Sequence, residues 1–116
     1  LRGYYSRTRR SIIEIPHALT RTSSAGSGTK LTSGGALHGP LAMAVAPNGD
    51  LLVSNGLNGD IVEITRSGKQ IAHVALDPDP AQSPPGNGDL FGLAVAPSGK
   101  SLYFAKDDTN TLAVLS

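Results

Sequence analysis

The sequence contains one segment twice, and this repeat constrains the fold more than any other feature. Residues 41–53 read LAMAVAPNGDLLV and residues 91–104 read FGLAVAPSGKSLYF, at an offset of 50 that becomes 51 at the inserted Ser101. Repeats of this length are typical of stacked supersecondary units, such as the blades of a propeller. We therefore expect one domain built from similar units, with length differences confined to the loops.

A weaker third copy lies upstream of these two. The segment 12–15 matches 61–64 at an offset of 49, and the same offset aligns Tyr4 with Val53. The chain would then begin inside the second strand of one unit and stop after the third strand of another. Propellers close with about 4–8 blades. We expect a fragment of a longer propeller chain, whose remaining blades complete the ring.

Residue alternation within each copy predicts β-strands. Large side chains at Leu41, Met43 and Val45 alternate with alanines, and 91–96 repeats the pattern. A period of two places successive side chains on opposite faces of a sheet. Because neither face is polar, we expect these innermost strands to be buried on both sides. The predicted strands are 3–5, 12–15, 41–46, 51–54, 61–65, 70–76, 91–96, 102–105 and 112–115.

The predicted fold is all-β, a partial β-propeller with roughly two and a half four-stranded antiparallel blades. Residues 1–36 would hold the end of one blade and a Gly/Ser-rich connection. Residues 37–76 would form a complete blade, and 77–116 a connection followed by most of the next blade. The 14 Gly and 8 Pro of the chain suit this arrangement of short strands joined by turns.

Composition excludes several classes of site and partner. The chain has no Cys, which excludes disulfides, thiolate metal ligands and Cys nucleophiles. No apolar run approaches the roughly 20 residues of a membrane helix, so no membrane span is predicted. The net charge is +1, and the arginines lie at separate strand and loop positions rather than in one block. We therefore expect no nucleic-acid partner.

Two longer segments resemble a known family of repeats. The segments LAMAVAPNGDLLVSNGLNGDIVEITRSGKQI and LFGLAVAPSGKSLYFAKDDTNTLAVL are similar to NHL-repeat β-propellers of secreted bacterial proteins. More distantly, they resemble six-bladed propellers of the gluconolactonase and senescence-marker type. The family signature of an acid, an Asn and an apolar strand is present at 107–112 and degraded at 55–60. The resemblance implies a fragment of a six-bladed propeller, in a protein exported to the periplasm or secreted.

The loops divide unequally between the two faces of such a propeller. One face, called the short-turn face below, receives the tight turns 47–50, 66–69 and 97–100. The opposite, long-loop face receives the loops 55–60 and 106–111 and the blade connections 17–39 and 77–89. Ligand sites usually lie on irregular loops held by a rigid scaffold, so we expect the site on the long-loop face. Its candidate residues are His38, Asn55, Asn58, Asp89, Lys106, Asp107 and Asp108.

Asp89 and Asp107 are the candidate ligands for a divalent metal such as calcium, since hard cations bind carboxylate oxygens. The alternative is that Asp107 and Asp108 cap their turn through Asx hydrogen bonds, as the segment 58–60 is expected to do. His38 and Asp89 precede innermost strands and are expected near the mouth of the central channel. The resemblance to lactonase-like propellers implies a metal at that place.

Three other motifs have simpler interpretations. Residues 77–80 read DPDP and lack the Gly that an EF-hand turn requires, so no EF-hand is expected. Residues 24–30 are interpreted as a flexible Gly/Ser-rich loop rather than a phosphate-binding loop. Residues 7–10 read RTRR and either bind an anion or form a solvated basic loop. His17 and His73 have no partner at ligand spacing and are expected to be structural.

Two functions are compatible with these observations. The first is a non-catalytic NHL-repeat binding or scaffold module, without a cofactor, that presents its long-loop face to a protein, glycan or small ligand. The second is a metal-dependent lactonase or hydrolase of the gluconolactonase-like type, with the ion as Lewis acid. His38, Asn55, Asp89 and Asp107 would then surround the ion. The absence of a complete catalytic set favours the first function, and the second stays open.

Overall fold

The computed structural model describes residues 2–7, 10–24, 26, 28–77 and 79–115. Leu1, Thr8, Arg9, Ala25, Ser27, Pro78 and Ser116 lie outside this description, and with them parts of the motifs at 7–10, 24–30 and 77–80. The described residues form strands and turns, with no helix and hence none able to span a membrane. The strands are β1 (Gly3–Arg7), β2 (Ser11–Ile15), β3 (Thr29–Ser33), β4 (Pro40–Val45), β5 (Leu51–Asn55), β6 (Asp60–Ile64), β7 (Gln70–Ala75), β8 (Leu90–Val95), β9 (Leu102–Lys106) and β10 (Thr111–Leu115).

These strands form three antiparallel sheets, and each strand pairs with its neighbour in the chain. Sheet 1 contains β1, β2 and β3, sheet 2 contains β4 to β7, and sheet 3 contains β8, β9 and β10. Within the described chain no sheet closes on itself. The all-β prediction and all nine predicted strands are confirmed, with bounds that differ by at most two residues.

Strand β3 is the element that the sequence pattern did not predict. It lies inside the segment 17–39, which was expected to be a connection without strands, and that expectation is wrong over Thr29–Ser33. The strand contains a single apolar residue, Leu31, so it shows no alternation for a period-two pattern to detect. Because β3 follows β2 as β7 follows β6, the described residues of the loop 16–28 lie on the short-turn face. The prediction that placed them on the long-loop face is therefore wrong.

The strand register also corrects the alignment of the first repeat. Ser6 pairs with Ile12 in sheet 1, and Ser54 pairs with Ile61 in sheet 2. Ser6 is therefore equivalent to Ser54, which makes Tyr5, and not Tyr4, the equivalent of Val53. The loop after β1 is one residue shorter than the loop after β5, and this shift is invisible in an alignment without gaps.

The short turns form as their sequences predict. Asn48 Oδ1 accepts a hydrogen bond from the Asp50 N–H at 3.0 Å, and Gly49 has the positive φ of 90° that this turn requires. In the second copy Ser98 Oγ accepts from the Lys100 N–H at 3.2 Å. Each turn is thus capped by one of its own side chains.

The sheets pack face to face at two junctions. At the first junction, sheet 1 and the residue Leu37 pack against sheet 2. Its buried apolar residues are Ile12, Leu37, Leu51, Val53, Val62 and Ile64. At the second junction, sheet 2 packs against sheet 3 around a smaller cluster of Ile61, Leu90 and Phe104. The strands β4 and β8 lie next to each other along this second junction.

The first strands of sheets 2 and 3 are more exposed than their sequence suggests. Leu41 and Val45 in β4 are 47% and 56% exposed, and Phe91 in β8 is 47% exposed. The expected burial of these strands on both sides is therefore wrong for the described residues. The faces of a strand are covered by neighbouring sheets, and the described sheets leave these three side chains about half uncovered.

Candidate functional site

Asn55, a predicted site residue, is completely buried at the end of β5. Its side-chain N–H donates to the Ala36 carbonyl at 2.8 Å, and its Oδ1 accepts from the His38 N–H at 2.9 Å. Both ends of the amide are thereby engaged with the connection that precedes β4. In this arrangement Asn55 holds the backbone at His38 in place on the long-loop face.

His38 contributes to an open cleft at the first junction. The cleft has a volume of about 640 Å³ and is lined by residues of β7, of the loop after β5 and of the connection before β4. It also contains His73, whose Nδ1 lies 3.5 Å from Asp60 Oδ2. Arg10 borders the same cleft and donates to the Gly35 carbonyl at 3.0 Å.

Turn capping explains part of the polar content of the long-loop face. Asn58 Oδ1 accepts from the Asp60 N–H at 3.1 Å, which is the expected Asx hydrogen bond. Asp108 Oδ1 accepts from the Thr109 N–H at 2.9 Å in the loop after β9. The capping interpretation is confirmed for Asn58, and for Asp108 one carboxylate oxygen serves the turn.

Three carboxylates meet on the long-loop face at the second junction. One oxygen atom each of Asp77, Asp89 and Asp108 lies within 4.8 Å of the others. We call these three residues the acidic cluster. Asp77 follows sheet 2, whereas Asp89 precedes β8 and Asp108 follows β9 in sheet 3. The structure thus brings the predicted residues Asp89 and Asp108 together with Asp77. The predicted ligand Asp107 is not a member, although its N–H donates to the Asp89 carbonyl at 2.7 Å.

The acidic cluster is buried and incompletely neutralised. Asp89 is 1% exposed and Asp77 is 7% exposed, whereas Asp108 lies at the surface. The Oδ2 atoms of Asp77 and Asp89 are buried and have no hydrogen-bond partner among the described residues. Lys106, another predicted site residue, places its Nζ 3.6 Å from Asp77 Oδ2, which is an ion-pair distance but beyond a hydrogen bond.

Burial and mutual repulsion both act on the protonation of this cluster. Burial raises the pKa of Asp89, and the carboxylates of Asp108, Asp77 and Asp79 raise it further, against a lowering by Lys106. Burial also raises the pKa of Asp77, opposed first by Lys106 and assisted by Asp108. The common cause is that charged carboxylates here have lost water and face other carboxylates.

Two glycines allow the connection after β7 to approach the loop after β5. The Gly59 carbonyl accepts from the Leu76 N–H at 3.0 Å and from the Asp77 N–H at 3.4 Å. Gly59 and Gly86 have φ values of 72° and 81°, and a Cβ at either position would collide with the Asp77 carbonyl oxygen. These contacts fix the backbone of Asp77 at the second junction.

Backbone hydrogen bonds also fix Asp89. Its N–H donates to the Gly86 carbonyl at 3.2 Å, and the preceding Gly88 N–H donates to the Gly56 carbonyl at 2.7 Å. Sequence reasoning missed Asp77 because its motif was tested only against the EF-hand. A usable signal was its position directly after a fourth strand on the face that also carries Asp89 and Asp108.

Comparisons with known proteins find a likeness of fold. No family profile and no curated protein matches the sequence. Among solved structures, the chain is similar to hydrazine synthase of Kuenenia stuttgartiensis, with a TM-score of 0.59 and 18% sequence identity. The likeness covers 92% of this chain and 26% of that chain, so the present chain spans about a quarter of its length. At this identity it shows similarity of fold alone.

Proposed function

We propose that this chain is part of an NHL-repeat-type β-propeller that acts as a non-catalytic binding or scaffold module. The proposal rests on one observation, which is that the same face of successive sheets packs onto the next sheet. Ile12 of sheet 1 is buried at the first junction, and its equivalent Ile61 of sheet 2 is buried at the second junction. Stacking that repeats in this way is how propeller blades share their cores.

The equivalent face of sheet 3 supports the presence of another sheet beside it. Leu112 occupies the position of Ile61 but is 72% exposed, and Tyr103 occupies the position of Leu52 but is 38% exposed. Val114, two residues from Leu112 on the same face of β10, is also apolar and exposed. We propose that a further antiparallel sheet of the same protein covers this face, as sheet 3 covers sheet 2. The six-bladed ring and the export to the periplasm or beyond remain proposals from the family resemblance.

The long-loop face is the proposed binding surface, for a protein, glycan or small ligand. It carries the cleft beside His38 and a second one at the starts of β4 and β8. That second cleft has a volume of about 440 Å³ and is lined by Leu41, Leu57, Leu90 and Phe91 together with polar and glycine residues. Apolar clefts with a polar rim are typical of ligand-binding surfaces.

The metal-dependent hydrolase is the second candidate, and the acidic cluster is the observation that favours it. A catalytic metal needs an open coordination position that the substrate reaches. Asp77 and Asp89 are buried, and of the three carboxylates only that of Asp108 reaches the surface. This geometry is better suited to a structural role, so the binding module is the preferred proposal.

Substitutions on the exposed face of sheet 3 test the architecture in the full-length protein. If another sheet covers this face, Leu112→Glu buries a charge and lowers the free energy of unfolding by at least about 2 kcal/mol. Leu19→Glu is the matched control, because Leu19 is also apolar and 78% exposed but lies in the loop after β2. Equal, small effects of both substitutions on denaturant unfolding would contradict the proposal. The proposal would also be contradicted if light scattering showed a concentration-dependent dimer that Leu112→Glu dissociates, because a second copy would then cover this face.

A lactone hydrolysis assay separates the two candidate functions. For a binding module, the full-length protein with added calcium hydrolyses glucono-δ-lactone no faster than buffer. Hydrolysis that requires calcium and is lost in Asp89→Asn would overturn the proposal and establish the hydrolase. Asp107→Asn is the control, since it removes a neighbouring charge without removing a cluster carboxylate.

A further inference from the structure

Two buried carboxylate oxygens at the second junction accept no hydrogen bond, and only one of them has a cation at ion-pair distance. Asp77 Oδ2 and Asp89 Oδ2 are buried and accept no hydrogen bond from the described residues. A buried polar group without a partner costs about 1–3 kcal/mol, and a charged one costs more. Such a group is rare unless another species bonds to it. The arrangement therefore calls for a cation or a hydrogen-bond donor at these carboxylates.

The spacing of the acidic cluster fits a metal ion. Its three oxygens lie within 4.8 Å of one another, close to the diameter of a sphere with calcium–oxygen distances of about 2.4 Å. The three residues come from separate segments. Hydrogen bonds to the Gly59 and Gly86 carbonyls fix the backbones of Asp77 and Asp89, and the Asp107 N–H, next to Asp108, donates to the Asp89 carbonyl. The site therefore does not need to be assembled from mobile side chains alone.

The charge balance points to a divalent ion. The three ionised carboxylates and Lys106 carry a net charge of −2, which one divalent cation neutralises. All three are hard oxygen ligands, a set that suits Ca²⁺ or Mg²⁺ and not the nitrogen and sulfur ligands typical of Zn²⁺. Ca²⁺ accepts irregular sets of 6–8 oxygens, while Mg²⁺ demands near-ideal octahedral geometry. Asp108 at the surface leaves room for water to complete the coordination.

We propose that Asp77, Asp89 and Asp108 bind a calcium-class divalent cation that links sheet 2 to sheet 3. This site differs from the expected channel site, since Asp77 replaces Asp107 and the ligands come from two adjacent sheets. Its role is to stabilise the second junction, where the apolar cluster is small. The site does not depend on the number of blades or on the identity of any ligand of the long-loop face.

Lys106 would compete with the cation. Its Nζ lies 3.6 Å from Asp77 Oδ2 and partly neutralises the cluster without bonding to it. A cation at the cluster must work against this positive charge. Lys106→Gln is therefore expected to strengthen calcium binding severalfold.

Calorimetric titration of metal-depleted, full-length protein with CaCl₂ tests the proposal. We expect one calcium ion per chain at this site, and at least a tenfold loss of affinity in Asp108→Asn. Because Asp108 is exposed, this substitution is not expected to disturb folding, which circular dichroism checks. Asp107→Asn is the matched control and is expected to bind calcium within threefold of the unmodified protein.

The opposite results would overturn the proposal. They are the absence of a calcium-binding step, binding that survives in both Asp89→Asn and Asp108→Asn, and binding of Zn²⁺ in preference to Ca²⁺. Thermal unfolding gives an independent measurement, since a ligand of the native state raises the melting temperature. At the same calcium concentration, the rise is expected to be equal in the unmodified protein and in Asp107→Asn and clearly smaller in Asp108→Asn.

Discussion

The two junctions between the sheets solve the problem of buried polar groups in different ways. At the first junction the side-chain amides of Asn55 and Gln70 each form hydrogen bonds through both the N–H group and the oxygen. Gln70 Oε1 accepts from the Ala36 N–H at 2.8 Å, and its Nε2 donates to Thr32 Oγ1 and the Gly34 carbonyl, each at 3.1 Å. Every one of these groups is neutral and has a partner within the chain.

The second junction places charges where the first places amides. Asp77 and Asp89 are buried there with unpaired oxygens, and Lys106 neutralises them only in part. A junction built from neutral amides is complete without a ligand. A junction built from carboxylates depends on protons or a cation for its stability. Similar sheet packing is thus independent of solution conditions at the first junction and sensitive to them at the second.

The largest expected effects come from emptying the apolar cluster of each junction. Leu37→Ala at the first junction and Leu90→Ala at the second truncate fully buried side chains. Each is expected to lower the free energy of unfolding by about 3–5 kcal/mol, because a cavity adds to the lost transfer energy. Denaturant unfolding with and without calcium measures this. Only Leu90→Ala should also weaken calcium binding, since Leu90 adjoins Asp89. Equal calcium affinities in the two variants would contradict a cation site at the second junction.

Asn55→Ala tests whether the first junction depends on its amide. The substitution leaves the His38 N–H and the Ala36 carbonyl without their partner. At about 1–2 kcal/mol for each of the two unpaired neutral groups, we expect a loss of about 2–4 kcal/mol in the free energy of unfolding. Asn58→Ala is the control, because that side chain caps a turn through its hydrogen bond with the Asp60 N–H and makes no hydrogen bond to the described residues of the connection before β4. The loss should be the same with calcium or chelator, and a calcium-dependent loss would show that Asn55 serves the cation instead.

The sequence predicted those strands and turns that neighbouring residues specify by themselves. Period-two alternation located β4 and β8, and the turn residues around Gly49 located the short-turn face. It could not predict β3, whose one apolar residue gives no alternation and whose pairing with β2 spans a long loop. The one-residue slip at Tyr4 has the same origin, because only hydrogen-bonded register distinguishes it from Tyr5.

The candidate site was predictable as a face but not as a set of ligands. Loop length and polarity placed Asp89 and Asp108 correctly on the long-loop face. Which of Asp107 and Asp108 joins Asp89 depends on how the loop after β9 turns, and adjacent residues of the same type give no signal. Asp77 joins them because the glycine contacts described above fold its segment back, which is a tertiary effect.

Asp89→Asn should have opposite effects in chelator and in calcium. Without metal the substitution removes a buried, repelled charge and is expected to stabilise the full-length protein. With calcium it removes a ligand, so the variant should be less stable than the unmodified protein, with changes of about 1–3 kcal/mol in either direction. Melting temperatures under both conditions measure the reversal. A variant that is destabilised equally in both would indicate a purely structural carboxylate, and Asp107→Asn should show no reversal.

The smallest expected effect concerns a glutamate that occupies the same position at each junction. Glu14 and Glu63 are equivalent, since Ile12 and Ile61 are, but their partners differ in charge. Arg2 Nε lies 3.4 Å from Glu14 Oε1, whereas Glu63 faces Asp50. A hydrogen bond with Asp50, burial and repulsion by Asp50 raise the pKa of Glu63 above its ordinary value of 4.5, against a lowering by Asn48.

The direction of the pH dependence follows from this raised pKa. Between 4.5 and the folded-state pKa of Glu63, the folded protein binds more protons than the unfolded chain, so its stability falls as the pH rises. Glu63→Gln removes that loss and should be more stable than the unmodified protein at pH 7, by about 0.5 kcal/mol. The difference should vanish below 4.5, where Glu63 is protonated in both states. Glu14→Gln loses an ion pair instead and should be slightly less stable at pH 7. Unfolding curves of both variants across this pH range measure the two stability changes. If Glu14→Gln and Glu63→Gln change the free energy of unfolding at pH 7 in the same direction, the two junctions do not differ at this position.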